Sequence, residues 1–262
     1  MPLVVKLLIA PFFIALVTLA GRRWGTAISG TLTGLPLTSG PVSLILALQY
    51  GPDFAAHAAI GNLAGQVSLI CFCLAYSLAA QRCNWRVSTL IGITVFVVVT
   101  AILNSFTWSL LAAAAFLLIA IALVSRLIPQ PAVAAVAESI RWPRWDLPAR
   151  MIIAALIVLA LTTVANTLGP QLSGLVAPFP VFGTVLAVFA HQQQGPASAA
   201  RLLRGVVFGS LAFFAFFLVV STLLPGLGTG LTYVSATLAA LAGSAVAVTL
   251  GFAFSPGRKG AW

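Results

Sequence analysis

Acidic side chains are almost missing from this chain: three Asp and Glu in 262 residues, and none inside an apolar run. Asp53 stands in a short turn, and Glu138 and Asp146 share one polar segment. Paired-carboxylate catalysis is therefore excluded. A proton relay through a buried acid, common in pumps, is also disfavoured, although His57 can still titrate. Cysteine is scarce too, with three residues. Cys71 and Cys73 lie one residue apart in an apolar run, where a helix turns them to different faces, and Cys83 lies in a basic loop. They read as packing residues, not as a disulfide or metal pair. Nucleophile elbow, HExxH, Cys/His metal set and phosphate loop are all lacking. An enzyme is not expected, and neither a cofactor nor a metal.

Charge of either sign is rare. Only 6% of residues are charged and 61% are apolar, whereas a soluble domain carries about a quarter charged residues. A bilayer is the expected environment. The net charge of +10 could suggest nucleic acid, but the basic residues punctuate apolar runs instead of clustering on a polar face. That is the pattern of membrane topology and not of phosphate binding, so no nucleic-acid partner is expected.

The apolar runs predict nine spans: 3–21, 27–49, 54–81, 87–103, 107–125, 150–168, 171–191, 197–224 and 229–253. Arg22 and Arg23 follow the first, and Arg82 and Arg86 follow the third. Arg126, Arg141, Arg144 and Arg150 lie between the fifth and sixth. Arg201 and Arg204 open the eighth, and Arg258 and Lys259 follow the ninth. Alternate loops thus hold twelve of the thirteen Lys and Arg, which assigns that side to the cytoplasm. Lys6 is the exception and can snorkel to the interface. The expected setting is a cell inner membrane, with the N-terminus outside and the C-terminus inside. The first run has its arginines after it and no small-residue cleavage site, so it is retained as a helix.

The chain also contains itself twice. Shifted by 144 positions, residues 25–77 fall without a gap on 169–221. Pro36 meets Pro180, and Gln49-x-Gly51-Pro52 meets Gln193-x-Gly195-Pro196. Five of the seven glycines between 25 and 65 land on glycine, against roughly one or fewer by chance at ordinary glycine usage. Five spans separate the starts of the copies, so the copies run in opposite directions. The expected fold is an all-α polytopic membrane protein with a 4+1+4 inverted-topology repeat. Residues 1–105 form the first membrane repeat. Residues 106–149 form a connecting helix plus a cytoplasmic interfacial linker with Trp142 and Trp145 at headgroup depth. Residues 150–262 form the second repeat.

Spans two and seven are interrupted at matching places. The first carries Gly30, Thr33, Pro36, Thr38, Ser39 and Pro41; the second carries Gly174, Pro178, Pro180, Gly183 and Thr184. Proline frees backbone carbonyls that hydrocarbon cannot satisfy, so such segments belong in the interior or beside water. Paired Gly/Pro-interrupted spans near the midplane point to a transporter's site. The substrate-binding candidates are Thr33, Pro36, Thr38, Ser39, Asn62, Gln66, Pro178, Pro180 and Thr184. The repeat mates His57 and Arg201 are candidates for positive mouths at the two ends of a pathway. Gly61-x-x-x-Gly65 and Gly205-x-x-x-Gly209 are faces for close helix approach, Asn166 reads as a helix cap, and His191 as interfacial.

Residues 174–253, with Gly174-Leu-Val-Ala-Pro-Phe-Pro180-Val-Phe, then Ala190-His191, Ala200-Arg201-x-x-Arg204 and Val207-Phe208-Gly209, resemble the small GlpM-like bacterial membrane proteins. The likeness covers one repeat; in the first, Thr38 and His57 replace the second aromatic and the arginine. A single-repeat relative would pair antiparallel with itself, and the family's link to exopolysaccharide production implies little about a substrate. The expectation is a secondary transporter, or permease, for a small anionic or neutral polar solute, with an oligomer left open. The rival is a non-transporting scaffold for envelope or exopolysaccharide assembly.

Overall fold

A computed structural model describes residues 3–129, 143–160 and 179–253, and these are all-helical, with no strand among them. The elements are α1 (Leu3–Trp24), α2 (Thr26–Thr33), α3 (Ser39–Tyr50), α4 (Pro52–Ala79), α5 (Trp85–Asn104) and α6 (Leu110–Leu127). They continue with α7 (146–160), α8 (Val181–Gln194), α9 (Pro196–Leu227) and α10 (Thr229–Ala253). Five of them, α4, α5, α6, α9 and α10, are long and apolar enough to cross a membrane. At 1.5 Å per residue the 20 residues of α5 span about the hydrocarbon thickness.

The boundaries follow backbone chemistry. Pro36 has no N–H to reach the Leu32 carbonyl one turn back, which instead accepts from Leu35 at 3.2 Å, and the helix stops. It resumes when the Pro36 carbonyl accepts from Gly40 at 2.9 Å. Gly51 and Gly195 both adopt positive φ, 91° and 84°, a conformation that strains any other residue. Each ends one helix and caps the next, with Pro52 or Pro196 in the first turn, where the missing N–H costs nothing. The ends Tyr50 and Gln194, and the starts Trp85 and Thr229, are likewise 144 positions apart.

The core lies between α4 and α9. Leu63, Ile70, Phe72 and Tyr76 of the one, and Leu203, Val206, Phe217 and Leu224 of the other, are almost fully buried. The outer helices bury narrow stripes. In α6 only Ala113, Leu117, Ile121 and Val124 point inward, while Leu111 is 83% exposed and Ile119 61%. Such broad exposed apolar faces suit a lipid surround.

Contacts set the helix directions. Gly30 faces Gly205 and Gly34 faces Gly209, so α2 and α9 run parallel. On α4, Leu69 touches Gly183 and Tyr76 hydrogen-bonds His191 at 3.3 Å, so α4 and α8 run parallel. The Gly195 turn reverses α9 against α8, leaving α4 and α9 antiparallel. Connecting helix α6 packs on both.

Candidate functional site

The two interrupted regions are seated differently. A Cβ added at Gly30 would lie 3.0 Å from the Cα of Gly205, and one at Gly209 would lie 2.9 Å from the Cα of Gly34. Backbone meets backbone there, as small-residue faces allow. Three hydroxyls on the helix before this first break are already used. Thr33 Oγ1 donates to the Ser29 carbonyl at 2.8 Å, Thr31 Oγ1 to Ala27 at 3.1 Å, and Ser29 Oγ to Val17 of α1 at 3.1 Å. Pro36 and Ser39 are half-buried and Thr38 is exposed.

The second break opens into a different setting. Pro180 is buried, and its carbonyl accepts from Thr184 at 2.8 Å to start α8. The Thr184 hydroxyl is buried and has no hydrogen-bond partner among the described residues. Two further helices reach this place, α5 through the Phe96–Phe179 ring contact at 5.7 Å and α4 through Leu69 beside Gly183. Both helices also hold a buried hydroxyl without a hydrogen-bond partner among the described residues, Thr100 of α5 and Ser68 of α4. In hydrocarbon a Thr or Ser ordinarily bonds a carbonyl of its own helix. A hydroxyl left unpaired in a dry interior carries a desolvation penalty that a hydrogen-bonding ligand can relieve.

Between the breaks, Gln66 donates through Nε2 to Ser210 Oγ at 3.0 Å, and Ser210 donates on to the Val206 carbonyl at 3.1 Å. Gln66 and Ser210 are separated by 144 positions, the repeat offset, and join the middles of α4 and α9. Asn62, one turn before Gln66, is half-buried. His57 is exposed, with Nδ1 donating to the Asp53 carbonyl at 2.8 Å, and Arg201 is half-buried. Because α4 and α9 are antiparallel, these two mates sit at opposite ends of the bundle. Gly205 and Gly209 receive α2, whereas a Cβ on Gly61 meets nothing within 4 Å among the described residues. Pro178, Asn166 and Gly174 lie outside the described residues.

The sequence places Asp146 in a cytoplasmic interfacial linker; in the structure it opens a helix and is fully buried. Helix α7 starts at 146, four positions before the expected span, and carries this carboxylate into the bundle. Arg22 Nη2 lies 2.8 Å from Oδ2, Arg150 Nε lies 3.0 Å from both oxygens, and Gln193 donates to Oδ1. The Arg150 guanidinium also stacks over Phe189 at 4.6 Å, a cation–π contact. Burial pushes the Asp146 carboxyl up, but the bonds from Arg22 and Gln193 and the charge of Arg150 outweigh it and hold it below the usual carboxylate range. The seam ties the ends of α1, α7 and α8 together. A signal was present: Asp146 and Arg150 stand at i,i+4 in a chain with three acids.

Two cavities accompany these features, and neither is lined by Pro36 or Pro180. One of about 20 Å³ adjoins the charged seam, and one of about 450 Å³ lies between α3 and α10, lined by Leu44, Tyr233, Val234 and Leu238 among others. No family model, curated protein or solved structure matches the chain.

Proposed function

We propose that the protein is a bacterial inner-membrane secondary transporter of nine spans, built as four helices, one connecting helix and four helices inverted. Its solute site lies at the midplane by the paired breaks, and its termini lie outside and in the cytoplasm respectively. The Gln66–Ser210 bond supports the inverted arrangement. In a two-fold assembly, a residue that touches its own equivalent lies on the axis. Antiparallel α4 and α9 crossing there suit an axis perpendicular to the helices, in the membrane plane. Two inverted halves can exchange conformations, so an outward-open state implies an inward-open one of similar energy.

The observation that carries the transport reading is the buried Thr184 hydroxyl at the start of α8, which has no hydrogen-bond partner among the described residues. It offers a neutral hydrogen bond and no charge. With the acids of the described residues at helix starts, Asp53 on α4 and Asp146 on α7 already bonded to two arginines, a small anionic or neutral polar solute is the class that fits, with His57 and Arg201 as positive mouths. Uptake into proteoliposomes tests this with small carboxylates, phosphorylated metabolites, neutral polyols and organic cations. Saturable uptake of an anionic or neutral member is expected, reduced by Arg201→Gln. Failure of every member to enter would favour the scaffold. Entry of an organic cation, unaffected by Arg201→Gln, would remove the proposed solute class.

A further inference from the structure

Helix α8 starts at the proposed site and ends at the charged seam. From Thr184 to Gln193 the helix climbs about 14 Å, roughly half the hydrocarbon thickness. The seam therefore lies between the midplane and one surface of the bilayer. Side chains tie that end of α8 to helices of the first repeat. Gln193 donates to Asp146, which accepts from Arg22 of α1 at 2.8 Å, and His191 bonds Tyr76 of α4 at 3.3 Å. Asp146 is 0% exposed and its neighbour Arg150 4%. Buried ion pairs add little net stability over apolar side chains of the same volume. Stability alone does not account for a buried carboxylate in a chain with three acids.

The repeat does not reproduce the seam at the opposite end. The offset of 144 positions carries Arg22 to Asn166, Asp146 to Pro2, Arg150 to Lys6 and Gln193 to Gln49. None of these is an acid, so the ion pairs have no counterpart there. Tyr76 and His191 map to Val220 and Ala47, whose side chains cannot hydrogen-bond. Asp53, in that half, is exposed and forms no ion pair among the described residues. A neutral bond joins α3 to α10 in that half, between Ser43 Oγ and Tyr233 Oη at 2.7 Å. Inverted halves alone would give two closed ends of similar energy; here one end is ion-paired and the other is not. We propose that the Asp146 seam is a one-sided lock, which holds the basic end closed and biases the resting protein toward access from the opposite side. The lock rests on the transport reading.

Spin-label distances in the purified full-length protein in lipid nanodiscs, with Cys71, Cys73 and Cys83 replaced, test the lock. One label pair is placed beside the seam by Arg23→Cys and Gln192→Cys. A second is placed at the opposite end by Gln49→Cys and Leu231→Cys; all four positions are exposed. With the seam intact, the first pair should give one short component. Arg22→Gln leaves Asp146 bonded to Arg150 and Gln193, and should add a component longer by on the order of 5 Å. In the same variant the second pair should shorten. An unchanged first pair in both Arg22→Gln and the milder Tyr76→Phe would overturn the lock. Lengthening of the first pair with the second unchanged would overturn it too, since that is a frayed end and not a gate. Wild-type solute uptake judges the transport reading separately: uptake with unchanged distances would remove the lock and leave transport standing.

Discussion

The chain at Pro36 and the start of α8 at Pro180 have opposite surroundings. At Pro36, α2 lies backbone to backbone on α9, and its Ser29, Thr31 and Thr33 hydroxyls bond carbonyls of α1 and α2. At Pro180, α8 begins with a buried Thr184 hydroxyl that has no hydrogen-bond partner among the described residues. The far ends differ as well. Gln49 at the end of α3 is exposed, whereas its repeat mate Gln193 at the end of α8 is held by buried Asp146. A repeated sequence therefore does not give two equivalent sites. One break is sealed by packing, and the other is anchored at its far end and left polar where it begins.

Breaking the sealed side should have the largest effect. Gly209→Leu would drive a side chain into the backbone of α2 and should cost on the order of 3 kcal/mol or more, seen as loss of folded protein in detergent. Gly230→Ala, where an added Cβ meets nothing within 4 Å, should change stability by no more than about 0.5 kcal/mol.

Loosening the anchor comes next. Asp146 has a lowered pKa, so its stabilisation is complete above the unfolded carboxyl value of about 3.9 and is lost as pH falls through the lower native value. The unfolding midpoint of the intact protein should drop below about pH 4. Asp146→Asn should be destabilised by about 3 kcal/mol at pH 7, since it removes the buried carboxylate that two guanidinium groups share, and should lack the carboxyl's share of that acid drop. An identical acid profile in the variant would show that the anchor lies elsewhere.

The sharpest contrast is also the smallest in energy. Thr184→Val removes a buried hydroxyl with no partner, so stability should hold or rise slightly, while solute affinity falls about tenfold, roughly 1.4 kcal/mol. Thr33→Val removes a hydroxyl committed to its own helix and should change affinity less than twofold. Equal losses in the two variants would erase the distinction between the breaks.

Much of the fold could be read locally. Pro36 announced its break because proline lacks an N–H, and Gly51-Pro52 and Gly195-Pro196 announced their turns through positive φ and a first-turn proline. The helix starts at Pro52, Trp85, Pro196 and Thr229 lie within two residues of the apolar runs. Asp146 escaped because its burial depends on Arg22, 124 positions away, and Gln193, 47 away; neither leaves a local signature. The unequal breaks were hidden for the same reason. Whether a hydroxyl finds a carbonyl is decided by rotamer and by neighbours from other helices, not by its own segment.

The central claim is that the start of α8 is a polar site open to water and solute in the working cycle. A cysteine at Thr184, in a protein with Cys71, Cys73 and Cys83 replaced, tests it in proteoliposomes with a small hydrophilic, membrane-impermeant thiol reagent. The account predicts modification at a measurable rate, slowed by a transported solute and much faster than for a cysteine at fully buried Leu63. Equal inertness at the two positions, with no effect of any solute, would contradict it and leave a bundle packed dry at both breaks.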